Sequence, residues 1–201
     1  MKPIVFSISG PSGAGKSSLM EKTVEMLEDA VSFYFDAYQS TLHYPDQLFE
    51  RLQAGEFVDP SEIKNDSFIR DLRELINGST IVDPWGRTIH PAQTIVVEEP
   101  FGRLREGMSE LIDGSVSIDI PLEISLSRRI IRNLTYDYIN DSEEVRLAKV
   151  LQYVEGYNQY EGKVMRHLQQ MVNARADVLL DGLKPADELV EELVSYIKQS
   201  R

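Results

Sequence analysis

The chain of 201 residues contains no cysteine. Disulfides, thiolate catalysis and zinc sites built on sulfur are thereby excluded. Positive charge is scarce too: 21 Lys and Arg stand against 33 Asp and Glu, for a net charge of −12. A surface of that sign repels phosphate chains at long range, which disfavours a DNA or RNA polymer as partner. A small phosphorylated ligand is compatible with it only where the site is locally basic. No apolar run reaches the ~20 residues that cross a bilayer. The opening MKPIVFSIS reads as a strand, its apolar stretch too short for a signal peptide and followed by no small-residue cleavage site. Repeats, low-complexity tracts and evident linkers are also missing. These absences leave a single domain over 1–201, large enough to bury a core and 42% hydrophobic. The default location is the cytoplasm, with no membrane partner; the composition is silent on whether the chain forms a homo-oligomer.

What is present alternates between two periods. Short apolar runs predict strands at Ile4–Ser9, Ser32–Tyr38, Thr94–Pro100, Ser115–Pro121 and Ala176–Gly182. Helical spacing predicts helices over Ser17–Ala30, Pro45–Gly55, Asp66–Asn77, Gly102–Ile112 and Leu122–Leu134. A long helix follows Asp141, with Asp141 and Glu144 at capping-box spacing, and a last one carries Leu189, Leu193 and Ile197 on one face. STIVDPWGRTIH predicts two short strands around a turn, a small hairpin near residues 79–93. Strands alternating with helices imply an α/β fold, a mainly parallel sheet between two helical layers. Such sheets bind ligands at the carboxyl ends of their strands. Here those ends carry Gly10–Ser17, Asp36, Glu98–Glu99 and Asp119.

The loop Gly10-Pro-Ser-Gly-Ala-Gly15-Lys16-Ser17 fits G-x-x-x-x-G-K-[ST] at every fixed position, with an apolar strand before it and an amphipathic helix after it. Glycines allow backbone N–H groups to close around phosphate oxygens, and the helix N-terminus adds unsatisfied donors and a positive dipole end. Gly10, Ser12, Gly13, Ala14, Gly15, Lys16, Ser17 and Ser18 are therefore the candidate nucleotide-binding residues. Lys16 would reach the outer phosphates and the Ser17 hydroxyl would ligate Mg²⁺. The competing reading is an ordinary strand-to-helix turn rich in small residues; the apolar strand before the loop and the amphipathic helix after it favour phosphate binding.

A phosphate loop alone does not name a reaction. Asp83-Pro-Trp-Gly86 has the D-x-x-G spacing of a GTPase switch, yet it also fits a type I turn, and no N-K-x-D motif reads guanine. No L-S-G-G-Q signature of a transport ATPase occurs either. A kinase needs a carboxylate near an acceptor hydroxyl, an acid near the metal and mobile cations. Asp36 at the end of its strand is the first. Glu98 is the second, unless a one-residue slip in register presents Glu99 instead. Arg128, Arg129 and Arg132 are the third: three arginines within five residues of an otherwise acidic chain, although a solvated basic face would explain them as well.

In this order the loop, FDAY, VVEEPFGR, LSRRIIRN and ARADVLLDG resemble the uridine kinase-like P-loop kinases, a group related to phosphoribulokinase and pantothenate kinase. The resemblance covers most of the chain. It implies a P-loop NTPase three-layer sandwich with a helical lid, here near residues 128–142, and ATP-dependent phosphotransfer with Mg²⁺ to a small hydroxyl-bearing acceptor. It further implies Asp36 as general base, Glu98 near the metal, and Arg129 and Arg132 as lid arginines contacting phosphates or acceptor. Arg128 joins the nucleotide-binding set. Glu99 stands where the family has glycine, Asn133 where it has aspartate, and LTYDYINDSEE lacks further lid arginines. By the same resemblance Tyr38, His43, Tyr44, Asp83, Trp85, Arg87 and His90 fall in segments around the acceptor. For each aromatic taken singly, packing is the plainer role. Arg103 and Arg105 are candidates for an anionic acceptor or for exposed charges in a helix's first turn. The reading is a small-molecule kinase acting on a nucleoside, sugar or vitamin precursor; its rival is a regulatory module that holds nucleotide without transferring phosphate.

Overall fold

The computed structural model describes residues 2–200. Five strands, β1 (Ile4–Ser9), β2 (Ala30–Phe33), β5 (Thr94–Glu98), β6 (Gly114–Asp119) and β7 (Val178–Asp181), form a parallel sheet in the order β2-β5-β1-β6-β7. The hairpin of β3 (Ile81–Val82) and β4 (Thr88–Ile89) pairs separately. The described residues also form seven α-helices, with short 3₁₀ and π-helical turns between them: α1 (Lys16–Met26), α2 (Leu48–Gln53), α3 (Asp66–Ile76), α4 (Leu122–Arg132), α5 (Glu143–Gly156), α6 (Gly162–Asn173) and α7 (Ala186–Gln199). No described helix is long and apolar enough to cross a membrane.

Register decides what each face of the sheet holds. Phe6 and Ile8 lie beside Val96 and Glu98; on this face the Phe6 ring meets Tyr196 of α7 edge-on at 5.6 Å. Ser7 and Ser9 lie beside Ser115 and Ser117 on the other. These serines are buried but satisfied: Ser7 donates to Ser115 Oγ (3.0 Å), Ser9 to the Glu99 carbonyl (2.9 Å) and Ser117 to Asn173 Oδ1 of α6 (2.7 Å). Their small size lets the connection leaving β5 run close along the sheet. A Cβ on Gly102 would already come within 3.2 Å of the Ser9 hydroxyl. Further out on this face Phe68 of α3 packs against Phe33 at 4.8 Å.

Several predicted elements end elsewhere than expected. The first helix stops at Met26, four residues early, because Ala30 already belongs to β2. The aromatic run Ser32–Tyr38 is strand only to Phe33; Phe35–Thr41 is 3₁₀ helix, which buries Phe35 and Tyr38 and holds Asp36 just past the strand. Gly102–Ile112 is a single 3₁₀ turn, Gly102–Leu104, followed by turns. Gly102 and Gly107 adopt positive φ there, and Arg105 between them is drawn into the core. The cap of α5 is Ser142, whose hydroxyl accepts from the Val145 amide (3.4 Å), rather than an Asp141–Glu144 box. Two π-helical turns, Asn133–Asp137 and Tyr157–Glu161, follow α4 and α5.

Candidate active site

One cavity of about 880 Å³ opens at the carboxyl ends of β1, β2 and β5. Gly10, Ser12, Gly13, Gly15, Lys16, Ser17 and Ser18 line it; Ala14 does not, being buried beneath the loop. The loop sits there because β1 ends in Ser9 and α1 begins at Lys16. Gly13 cannot carry a side chain: a Cβ would lie 2.3 Å from the Ser125 carbonyl of α4.

Asp36, Glu98, Arg128, Arg129 and Arg132 line the same cavity. Asp36 reaches it from beyond β2, two strands from β1 rather than beside it, since β5 intervenes. The Lys16 ammonium donates to the Gly10 and Pro11 carbonyls (3.1 and 3.3 Å). Burial lowers its pKa, opposed by the charges of Glu98 and then Asp36. Burial raises the Glu98 carboxyl, opposed by Lys16. These groups thus share one electrostatic field. Ser17 donates to Glu98 Oε1 (3.3 Å), whereas Glu98 Oε2 is buried without a partner. A hydroxyl beside an unpartnered buried carboxylate oxygen is a donor set suited to Mg²⁺, which takes one or two carboxylates and keeps several waters. Arg129 and Arg132 lie 3.8 and 3.7 Å from Asp137, long contacts that leave them free to exchange partners. Arg128 reaches the Gly182 carbonyl at 3.4 Å.

The choice between adjacent acids is made by register. Glu99 faces away from the cavity, fully buried, and forms an ion pair with Arg105, whose Nε and Nη2 donate to its oxygens at 3.1 and 2.6 Å. The guanidinium also lies 5.2 Å from the rings of Phe35 and Phe68. Arg105 is therefore a core residue, neither an exposed charge nor an anion ligand. Arg103 binds Asp177 and the Asp113 carbonyl at the amino ends of β6 and β7, the opposite end of the sheet from the cavity.

Of the acceptor candidates, Tyr44 lines the cavity and the others do not. Tyr38 is buried, donating to Asp71 (3.0 Å). His43 bridges to Lys64 through its backbone. Arg87 pairs with Asp83 and stacks on Tyr34 and Trp85 at 4.5 and 5.1 Å, which makes these residues the framework of the hairpin. His90 meets Thr80 (3.1 Å). Asp119, the last strand-end acid, accepts from Gln169 and Asn173 and so anchors α6. Sequence reasoning missed the residues of α2 and α6 that form the cavity's far walls. Their only signal was helical apolar spacing, which a core helix shows equally.

A parallel sheet whose central strand runs into a glycine-rich loop, with a lysine and serine opening the next helix, defines the P-loop α/β class. The chain belongs to the phosphoribulokinase / uridine kinase family, which it matches over residues 5–171. The family is one of kinases, so the broad chemistry is phosphotransfer. A uridine kinase of Macrococcus caseolyticus (strain JCSC5402) is 25% identical over 147 residues, 66% of this chain and 70% of the relative. The inorganic pyrophosphatase TTM2 of Arabidopsis thaliana is 27% identical over 142 residues, 65% of this chain but 20% of that protein. Among solved structures, a gluconokinase from Sinorhizobium meliloti 1021 shares the fold at a TM-score of 0.53 and 14% identity, covering 98% of this chain and 93% of that one.

Proposed function

We propose that the protein transfers the γ-phosphoryl group of ATP to a hydroxyl of a small molecule in the cytoplasm. The observation that carries this reading is that one cavity is lined both by the phosphate loop with Glu98 and by a second acid, Asp36, from the 3₁₀ helix after β2. A nucleotide-holding module has no need of the second acid.

Backbone N–H groups of Gly10–Ser18 cradle the phosphates, and Lys16 balances their charge. Ser17 and Glu98 would hold Mg²⁺, which would supply positive charge against the outer phosphates. Asp36 takes the proton of the acceptor hydroxyl as its oxygen forms the new bond to phosphorus and the bond from phosphorus to the ADP oxygen breaks. Arg129 and Arg132 leave Asp137 to meet the charge on the moving group, and Arg128 steadies the nucleotide. Segment 128–142 serves as the lid whose closure excludes water and suppresses simple hydrolysis.

The test is ADP release from MgATP with and without a panel of alcohols. One acceptor should accelerate release. Asp36→Asn should lower the accelerated rate by ~10²–10⁴-fold while nucleotide still binds, and Lys16→Ala should abolish turnover. Acceptor-independent ADP release that Asp36→Asn leaves unchanged would favour a hydrolase or a regulatory module.

A further inference from the structure

Five residues past Arg132 the chain sets an acid against its own arginines. Asp137 lines the cavity together with Arg129 and Arg132. Its carboxylate lies 3.8 Å from Arg129 and 3.7 Å from Arg132, close enough for charge attraction and too far for a hydrogen bond. The π-helical turn Asn133–Asp137 explains the meeting. In an unbroken α-helix, at 3.6 residues per turn, a residue five places on points about 140° away from the first. The wider turn, closed by the Tyr138 amide on the Asn133 carbonyl (2.9 Å), aligns positions i and i+5 and brings Asp137 back over Arg132.

The acid is held in that place from behind. Tyr138, the next residue, lies under the Lys149 ammonium of α5 at 4.8 Å, and Lys149 also pairs with Asp141 at 2.7 Å. Of the acids in LTYDYINDSEE, Asp137 is the one that lines the cavity. The arginines it meets belong to the phosphate site. Burial is the main cause that lowers the Lys16 pKa, and the charges of Arg129 and Arg132 add to it, so the guanidiniums and the loop lysine share one field. A carboxylate beside two guanidiniums offers them the kind of anionic oxygens that a phosphoryl group would offer.

Building on the kinase reading above, we propose that Asp137 is an internal counter-ion that restrains Arg129 and Arg132 until a nucleoside triphosphate displaces it. A nucleotide whose chain ends at the β-phosphate leaves both pairs intact. One that carries a γ-phosphate has to break them before the arginines can meet it. Asp137 thus lowers affinity for the triphosphate selectively, and it acts through the arginines rather than on the ligand. The contacts suit that part: pairs this long, between side chains 30%, 54% and 31% exposed, are weak enough to yield.

The test is displacement of the fluorescent analogue mant-ADP from the full chain, with Mg²⁺ present, by AMP-PNP and by ADP. It compares wild type with Asp137→Asn, and Arg129→Gln/Arg132→Gln with the same change added; Asp137→Ser serves should Asp137→Asn fail to fold. AMP-PNP should bind Asp137→Asn ~3–10-fold tighter, the scale of two loose ion pairs, while ADP changes by less than ~2-fold. In the double-arginine background Asp137→Asn should alter neither. Equal tightening of both nucleotides would mean that Asp137 repels phosphate as a diffuse charge, and overturns the proposal. Unchanged or weaker AMP-PNP binding in Asp137→Asn overturns it too, as does an effect that survives loss of both arginines. Lys16→Ala separates the two readings. AMP-PNP binding that this variant leaves unchanged, or no binding to wild type and Asp137→Asn alike, sinks the phosphate-loop assignment and the proposal with it. Lys16-dependent binding that ignores Asp137 sinks the proposal alone.

Discussion

Glu98 and Glu99 are neighbours with the same charge, both buried, and they do opposite things. Glu98 faces the cavity with one oxygen on Ser17 and one unpartnered. Glu99 faces the serine side of the sheet and is neutralised by Arg105. The alternation of a strand is enough to send one acid to the cavity and its neighbour into the core. The difference teaches where an uncompensated carboxylate is tolerated: beside the cavity Glu98 keeps one oxygen without a partner, whereas in the core both Glu99 oxygens are bound by Arg105, whose Nη1 alone is left unsatisfied.

The sharpest way to break the comparison is Arg105→Met, which strands Glu99. Removing one partner of a buried pair costs about 3–5 kcal/mol, a fall in Tm of roughly 10 °C for a chain this size, measurable by thermal and urea unfolding. Replacing both, Glu99→Leu with Arg105→Met, should recover most of that loss, since an apolar pair of similar volume is often neutral or better. A double variant as unstable as the single would show that Arg105 acts through the Phe35 and Phe68 contacts instead.

Glu98→Gln should move in the other direction on stability while damaging turnover. Turnover is expected to fall by ~10²-fold, about 3 kcal/mol of lost transition-state stabilisation, with a higher Mg²⁺ requirement. Stability should rise by about 1 kcal/mol at neutral pH, because an unsatisfied buried carboxylate is replaced by a neutral amide. A Glu98→Gln protein that is both active and no more stable would mean the two acids are not so different.

The smallest effect is a pH profile. Burial raises the Glu98 pKa, so its protonated form is favoured by folding. Its contribution to stability is complete below the unfolded pKa and is lost as pH rises through the folded value. The stability advantage of Glu98→Gln should therefore vanish in acid and grow as pH rises through that window. Turnover in the wild type, which needs the ionised form, should begin to fall on acidification above the ordinary carboxylate range; Glu98→Gln should lack that limb.

How much of this was legible in the sequence follows from what each feature depends on. The phosphate loop depends on local backbone geometry, and Gly10–Ser17 advertises it residue by residue. The sheet could be read because its strands are short apolar runs with turns between them. Glu98 against Glu99 could not be settled from the sequence, because facing is a property of register with β1. The helix expected over 102–112 was lost to tertiary demand: Arg105 must turn inward to meet Glu99, and the local pattern carries no sign of it. The far walls were hidden for a different reason. Leu168 and Met171 show helical spacing whether they meet another side chain or a ligand. The hairpin residues Asp83, Trp85 and Arg87 misled in the opposite sense, since polar and aromatic groups that serve each other look like a binding site until their partners are known.

The contact between Gly13 and Ser125 has a mechanical consequence. The loop and the arginine helix touch backbone to backbone, with no compressible side chain between them. A tilt of α4 about Ser125 would therefore press on the loop directly. Ser125 thus marks where α4 is seated on the loop, and Arg128, Arg129 and Arg132 lie in the turns beyond that seat. Beyond the arginines the α-helical hydrogen-bond spacing gives way to a π-helical turn at Asn133–Asp137. The proposed lid would therefore be braced at its root, where its closing motion meets the phosphate loop.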